Sequence, residues 1–139
     1  MNRSKLAVID TNIYIGALRL DLFRGQLAAI NQRFILKSSA IVLLELYTGC
    51  RTRIERRAIE KMERDFGVLT PSQENFTEAG KVLNKILLSK RFEPGKILGL
   101  ANDALIAMSA RSIGAIVVTN NKKDFELIRE CRPFDVIYL

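Results

Sequence analysis

Four short runs of branched apolar residues punctuate the chain: Leu6–Ile9 (LAVI), 34–36 (FIL), 115–118 (AIVV) and Val136–Tyr138 (VIY). Runs of three or four such residues suit strands buried on both faces and are too short for helices. Residues 67–69 make a weaker fifth strand. Between the runs the periodicity is helical. In residues 54–66 the apolar positions Ile54, Ala58, Ile59, Met62 and Phe66 recur at helical spacing with charges between them. In residues 71–88, Phe76, Ala79, Leu83, Ile86 and Leu87 keep the same period, and Thr70, Pro71 and Gln73 predict a capping-box start with proline at the first helical position. A further helix is expected from about Asn102 to Ser112, stopping before Gly114. Strands that alternate with helices imply parallel neighbours, because parallel pairing needs crossover connections. The prediction is an α/β chain with helices on both faces of a central, mostly parallel sheet of four to five strands. No repeat, low-complexity tract or linker divides residues 1–139, so one domain is expected. The only strongly punctuated stretch, 93–99, reads as a surface loop just ahead of Asp103.

With 48% hydrophobic and 27% charged residues the chain has enough apolar surface to build a core. Its longest apolar runs, 40–44 and 104–108, are five residues each, against the roughly 20 that a membrane helix needs. The first residues turn polar after four apolar positions and lack a small-residue cleavage site, so a cytoplasmic location is expected. Cys50 and Cys131 are too few and too far apart for a disulfide framework, and read as ordinary packing or surface residues. A zero in the composition narrows the chemistry: the chain has no histidine. Ser-His-Asp and Cys-His catalysis, paired-imidazole RNA cleavage and histidine zinc sites are all excluded.

The formal net charge is +7, which favours a polyanionic partner through phosphate neutralisation and counterion release. The excess concentrates in two runs. Residues 51–64 hold Arg51, Arg53, Arg56, Arg57, Lys61 and Arg64, and residues 81–96 hold Lys81, Lys85, Lys90, Arg91 and Lys96. The first run is the candidate RNA-binding face, through Arg51, Arg53, Arg56 and Arg57; a pair of merely solvated helix faces is the alternative.

The acids sit where chemistry is expected in such a fold. Asp10 directly follows the strand 6–9, and ligands of open parallel sheets bind beyond the carboxyl ends of strands. It would equally serve as an N-cap for a helix over 12–18. Glu45 interrupts Ile41-Val42-Leu43-Leu44-Glu45-Leu46-Tyr47, a helix expected to be buried on nearly every side, where a lone carboxylate needs a partner. A solvent-facing position or a pair with Arg51 or Arg53 is the alternative. Asp103 opens the apolar helix Asn102-Asp103-Ala104-Leu105-Ile106-Ala107, as a site residue or as a helix cap favoured by the dipole. Thr119, Asn120, Asn121 and Asp124 follow the strand 115–118, and Asn121 and Asp124 also have the spacing of a cap and its N3 acid. Oxygen ligands without histidine suit Mg²⁺ or Mn²⁺.

In order and spacing, Val8-Ile9-Asp10-Thr11-Asn12, Ser39 with Leu44-Glu45-Leu46 and Gly49, Asn102 to Ala107, and Val118-Thr119-Asn120-Asn121 through Asp124-Phe125 resemble the four motifs of PIN domains, and among these the VapC-type toxins of toxin-antitoxin modules. The resemblance spans nearly the whole chain. It implies a PIN-like three-layer α/β/α fold and a Mg²⁺- or Mn²⁺-dependent endoribonuclease with Asp10, Glu45 and Asp103 as the acidic core. Thr119 and Asn12 would orient the first acid or a metal water. Many members carry a fourth acid two residues after the threonine; this chain has Asn121 there, which would supply a neutral oxygen, with Asp124 as a less direct substitute. Hydrolysis would leave a 5′-phosphate and a 3′-hydroxyl. A cognate antitoxin that covers the acids, and a homodimer, are implied as partners. The alternative function is a non-catalytic RNA-binding module on the same fold, motivated by Asn121. A phosphotransfer domain is disfavoured because Asn12 stands where a second acid would be needed, and neither GxGxxG nor GxxxxGK[ST] occurs.

Overall fold

In the computed structural model, which describes residues 5–89 and 92–139, five parallel strands form one sheet in the order β3-β2-β1-β4-β5. The strands are β1 (Leu6–Ile9), β2 (Ile35–Ser39), β3 (Gly67–Leu69), β4 (Ile116–Thr119) and β5 (Val136–Tyr138). All five expected strands form, the weak one included. The second and fourth shift toward the carboxyl side, so that Ser39 and Thr119 end strands. Register pairs Ala7 with Leu36 on one side of β1 and with Ile116 on the other. Val8, Ile9, Val117 and Val118 are buried, as a strand with helices on both faces requires.

Among the described residues seven α-helices connect the strands: α1 (Thr11–Leu20), α2 (Arg24–Arg33), α3 (Ala40–Thr48), α4 (Arg53–Asp65), α5 (Gln73–Leu88), α6 (Ala101–Ser112) and α7 (Lys122–Cys131). The start of α5 corrects the expectation from Thr70 and Pro71. Ser72 is the cap, accepting from the Asn75 N–H at 3.1 Å, while Asn75 Oδ1 accepts from the Ser72 N–H at 2.9 Å. An asparagine does in N3 what the usual glutamate would, and Pro71 stays outside the helix. The stretch read as a loop, 93–99, is mostly a 3₁₀ turn over Pro94–Leu100 that leads into α6. At the other end of α6, Gly114 takes φ +69° and closes a Schellman motif, with the Ala115 N–H donating to Ala110 O and the Gly114 N–H to Arg111 O. Helix α6 runs through the core, with every residue from Ala104 to Ala110 buried.

Cys50 and Cys131 are half-buried and pack against the core. Among the described residues no helix is long and apolar enough to cross a membrane. Lys90 and Arg91 of the second basic run, and residues 1–4, lie outside the described residues.

Candidate active site

The chain winds outward from β1 in both directions, through β2 and β3 on one side and β4 and β5 on the other, so the strand order reverses between β1 and β4. A crevice opens at such a reversal beyond the carboxyl ends of the strands. Asp10 and Thr119 stand on its two sides. The Asp10 N–H donates to Val118 O at 2.8 Å, extending the β1–β4 ladder by one bond before the chain turns into α1. The Asp10 side chain is 3% exposed and both oxygens are engaged: Oδ1 accepts from the Thr11 N–H at 2.8 Å and Oδ2 from the Thr119 hydroxyl at 2.8 Å. Thr119 Oγ1 in turn accepts from the Asn121 N–H at 3.0 Å. Both readings of Asp10 hold together, because the cap of α1 is also a carboxylate at the switch point. Burial pushes its pKa up; the bonds from Thr119 and Thr11 pull the other way, and the nearby Glu45 charge adds to the rise.

Glu45 reaches the crevice from α3, which starts at the Ser39 cap. This helix is not buried on nearly every side. Val42, Leu43 and Leu46 face the core while Leu44 is 60% exposed, and Glu45 lies between the two faces, half-buried. One side of a helix at a domain surface packs inward, and an apolar sequence does not change that geometry. Glu45 pairs with neither Arg51 nor Arg53. Its Oε1 accepts from the Thr11 hydroxyl at 2.8 Å, across the contact between α1 and α3.

Asp103 lies in the first turn of α6 rather than at its cap, which is Leu100 and has no side-chain bond. Its pKa is pushed up to about 7, first by burial and then by the charges of Asp10, Asp124 and Glu45. That mutual effect puts the four acids in one electrostatic neighbourhood. Asn121 occupies the cap position of α7 but makes no side-chain cap bond. Its amide turns to the acids instead, donating to Asp124 Oδ2 at 3.1 Å and Asp103 Oδ2 at 3.4 Å. Two acceptors on one side fix the orientation: the NH₂ group, not the neutral oxygen expected from sequence, faces the carboxylates.

Among the described residues no lysine or arginine forms an ion pair with any of the four acids. The donor set is oxygen throughout, rich in negative charge and without a protein countercharge, which fits a hard divalent cation. As the side chains stand, no three of the described acids are gathered into a ready-made ligand group. Among the described residues, Glu45 and Asp103 each keep one carboxylate oxygen in no hydrogen bond.

Asn12, expected to orient the acids, is exposed and makes no hydrogen bond to them. Its neighbour Thr11 does that work, and sequence reasoning passed over it. The available signal was position: the first residue of a helix directly after the strand-end acid has its N–H and hydroxyl beside that acid's oxygens. Of the basic residues, Arg51, Arg53 and Arg57 are exposed, and Arg56 pairs with Glu60 at 3.1 Å along α4. In the second run Lys81 and Lys96 pair with Glu78 and Glu93, and Lys85 donates to Cys131 O.

The PIN domain family model matches residues 7–130. The chain belongs to the PIN domain family. No curated protein matches it by sequence. Three solved structures show how closely this PIN domain follows a known fold. A chain of VapBC2 from Rickettsia felis, bound to a DNA fragment from its promoter, superposes with a TM-score of 0.73 at 19% identity, covering 96% of this chain and 98% of that one. A chain of DNA-bound VapBC from Salmonella typhimurium gives 0.71 at 22%, covering 97% and 98%. VapBC-5, a member of the VapBC family of toxin-antitoxin systems from Mycobacterium tuberculosis, gives 0.67 at 20%, covering 98% and 100%. The five-stranded parallel sheet with helices on both faces is the PIN fold of these VapBC structures.

Proposed function

We propose that this PIN domain is a divalent-metal-dependent endoribonuclease, the toxin of a toxin-antitoxin pair, that stops translation by hydrolysing RNA. The observation that carries the reading is the position of Asp10, Glu45 and Asp103 around the β1–β4 switch point, uncompensated by any described cation, where burial first and then the neighbouring acid charges lift Asp103 to about 7. Asp10, Glu45 and Asp103 would hold Mg²⁺ or Mn²⁺, with Asp124 beside them. When bound, such an ion offsets the charge of the acids and of the scissile phosphate and lowers the pKa of water.

The residues divide the remaining work. Thr119 and the Thr11 N–H hold Asp10 in one orientation, so that its charge faces the crevice. Asn121 holds Asp103 and Asp124 through its two amide hydrogens, spacing two like charges that would otherwise turn apart. The exposed arginines Arg51, Arg53 and Arg57 supply backbone phosphate contacts.

An antitoxin partner fits a second surface. An open groove of about 660 Å³ between the end of α1 and the start of α4 is lined by Leu18, Leu20, Ile54 and Arg51. Leu20 and Ile54 are 70% and 80% exposed. On a chain of net charge +7, the complementary occupant is an apolar segment carrying acidic residues. This is the proposed seat of the antitoxin, and a homodimer is proposed as the form that binds it.

The test is end-labelled RNA incubated with the purified chain in Mg²⁺, Mn²⁺ or EDTA, with Asp103→Asn in parallel. Cleavage that needs metal, leaves 5′-phosphate ends and vanishes in the mutant is the expected result. Ends carrying a 2′,3′-cyclic phosphate would refute the mechanism. RNA bound but never cut would favour the RNA-binding module, for which the Asn121 amide in place of an acid is the structural argument.

A further inference from the structure

The hydrogen bonds around the acids form one continuous path. It runs from Asp103 through the Asn121 amide, along the Asn121 backbone to the Thr119 hydroxyl, then to Asp10, and from Asp10 through Thr11 to Glu45. Thr11 joins two of the acids in it, Asp10 through its backbone N–H and Glu45 through its hydroxyl. Resting on the nuclease reading above, we infer that Thr11 is the positioning residue that makes Asp10 and Glu45 act as a pair toward the metal.

Three observations carry this. Thr11 is buried, so its hydroxyl has little water to bond with and is committed to Glu45 Oε1. The bond bridges 34 residues of chain, from the first turn of α1 to the middle of α3, and so ties the Glu45 side chain to a second helix. Glu45 is half-buried, bonds to no described cation, and lies close enough to Asp10 for the charges to repel. Without the hydroxyl, rotamer entropy and that repulsion both favour swinging the carboxylate out to solvent. With it, the single hydroxyl proton occupies Oε1, and Oε2 remains free on a carboxylate of fixed direction. The same residue's N–H caps α1 through Asp10 Oδ1, so the two acids share one rigid anchor at the helix start. Thr119, by contrast, bonds to Asp10 alone among the acids.

The hydroxyl is separable from the backbone bond. Thr11→Val keeps the shape and the N–H to Asp10 but removes the donor to Glu45, and Thr11→Ser keeps both. Thr11→Ala repeats the test should the valine variant melt early. Mn²⁺ titration calorimetry on the RNA-free chain reads the effect, with circular dichroism confirming the fold. Loss of a residue that orients a metal ligand is expected to weaken Mn²⁺ affinity by about ten- to a hundredfold in Thr11→Val, with Thr11→Ser close to wild type. In a Glu45→Gln background, Thr11→Val is expected to cost nothing further, because Thr11 acts through Glu45. Wild-type affinity in Thr11→Val, or a loss that simply adds to that of Glu45→Gln, would overturn the inference. A wild-type chain that binds no Mn²⁺ and cuts no RNA would overturn the nuclease reading itself, and the inference with it.

Discussion

Replacing Asp103 by asparagine is expected to make the metal-free protein more stable while removing its activity. In the fold, burial and the charges of Asp10, Asp124 and Glu45 raise the Asp103 pKa from its ordinary value near 3.8 to about 7. A raised carboxyl pKa means the folded state holds the proton more tightly than the unfolded chain, so ionising Asp103 works against folding. The cost is absent below about pH 4, where both states are protonated, grows as the pH climbs toward 7, and is constant above that. At 1.36 kcal/mol for each tenfold change in proton affinity, the ceiling is about 4 kcal/mol. Partial exposure and screening bring the expected gain in Asp103→Asn to about 2 kcal/mol at neutral pH. Asparagine keeps the shape and can still accept from the Asn121 amide, so no cavity or unpaired group offsets the gain. Urea denaturation in EDTA at about pH 7.5 and about pH 4 measures it, with the mutant midpoint higher at the first and level with wild type at the second. Saturating Mn²⁺ should reverse the order, since ligand at a hundred times its Kd stabilises only the binding chain, by about 2.7 kcal/mol. A mutant no more stable than wild type at neutral pH, or a gap that widens on acidification, would refute the reasoning.

Three other outcomes are expected. Thr119→Val removes the buried donor to Asp10 Oδ2 and should lower stability by about 1–3 kcal/mol, measured by urea denaturation. Changing Arg51, Arg53 and Arg57 together to glutamine should weaken RNA binding uniformly across sequences and flatten its dependence on log salt by about one per lost phosphate contact; an unchanged slope puts the RNA elsewhere. Ile54→Asp, at an exposed groove position, should alter stability by no more than about 0.5 kcal/mol while preventing co-purification of the antitoxin.

How much of this was legible in the sequence depends on whether a feature is set locally. The strands were, because short branched apolar runs between helical periods have few other ways to bury themselves, and their parallel arrangement follows from the crossovers. Even Gly67–Leu69 could be named, although at three residues it rests mainly on pairing with β2. Gly114 marked the end of α6 because the αL turn there favours a residue without Cβ. Helix α2 was not legible. Its apolar residues Leu27, Ala28, Ala29 and Ile30 do not define a clear face, and only Ile30 is buried, so the periodicity that marks the other helices is missing here.

The site divides along the same line. Asp10, Glu45 and Asp103 could be named because an acid beside apolar residues is a local anomaly, visible without knowing what it touches. What they do to one another depends on side-chain direction across elements 34 or 109 residues apart, and the sequence carries no sign of that. Hence Asn12, a good ligand type, points to solvent while Thr11, an ordinary helix start, binds two acids. Hence too Asn121, which by type offers an oxygen, presents its hydrogens, because the neighbours it meets are both acceptors. The caps expected at Asp10, Asp103 and Asn121 show the rule most plainly. Only Asp10 caps, and it does so with one oxygen while the other is held by Thr119, so a structural role and a place in the site coincide in one side chain. Choosing between cap and site residue is therefore the wrong question at a strand-to-helix turn of a parallel sheet. The geometry that leaves helix N–H groups unpaired there is the same geometry that opens the crevice, and a carboxylate placed to satisfy the first necessarily borders the second.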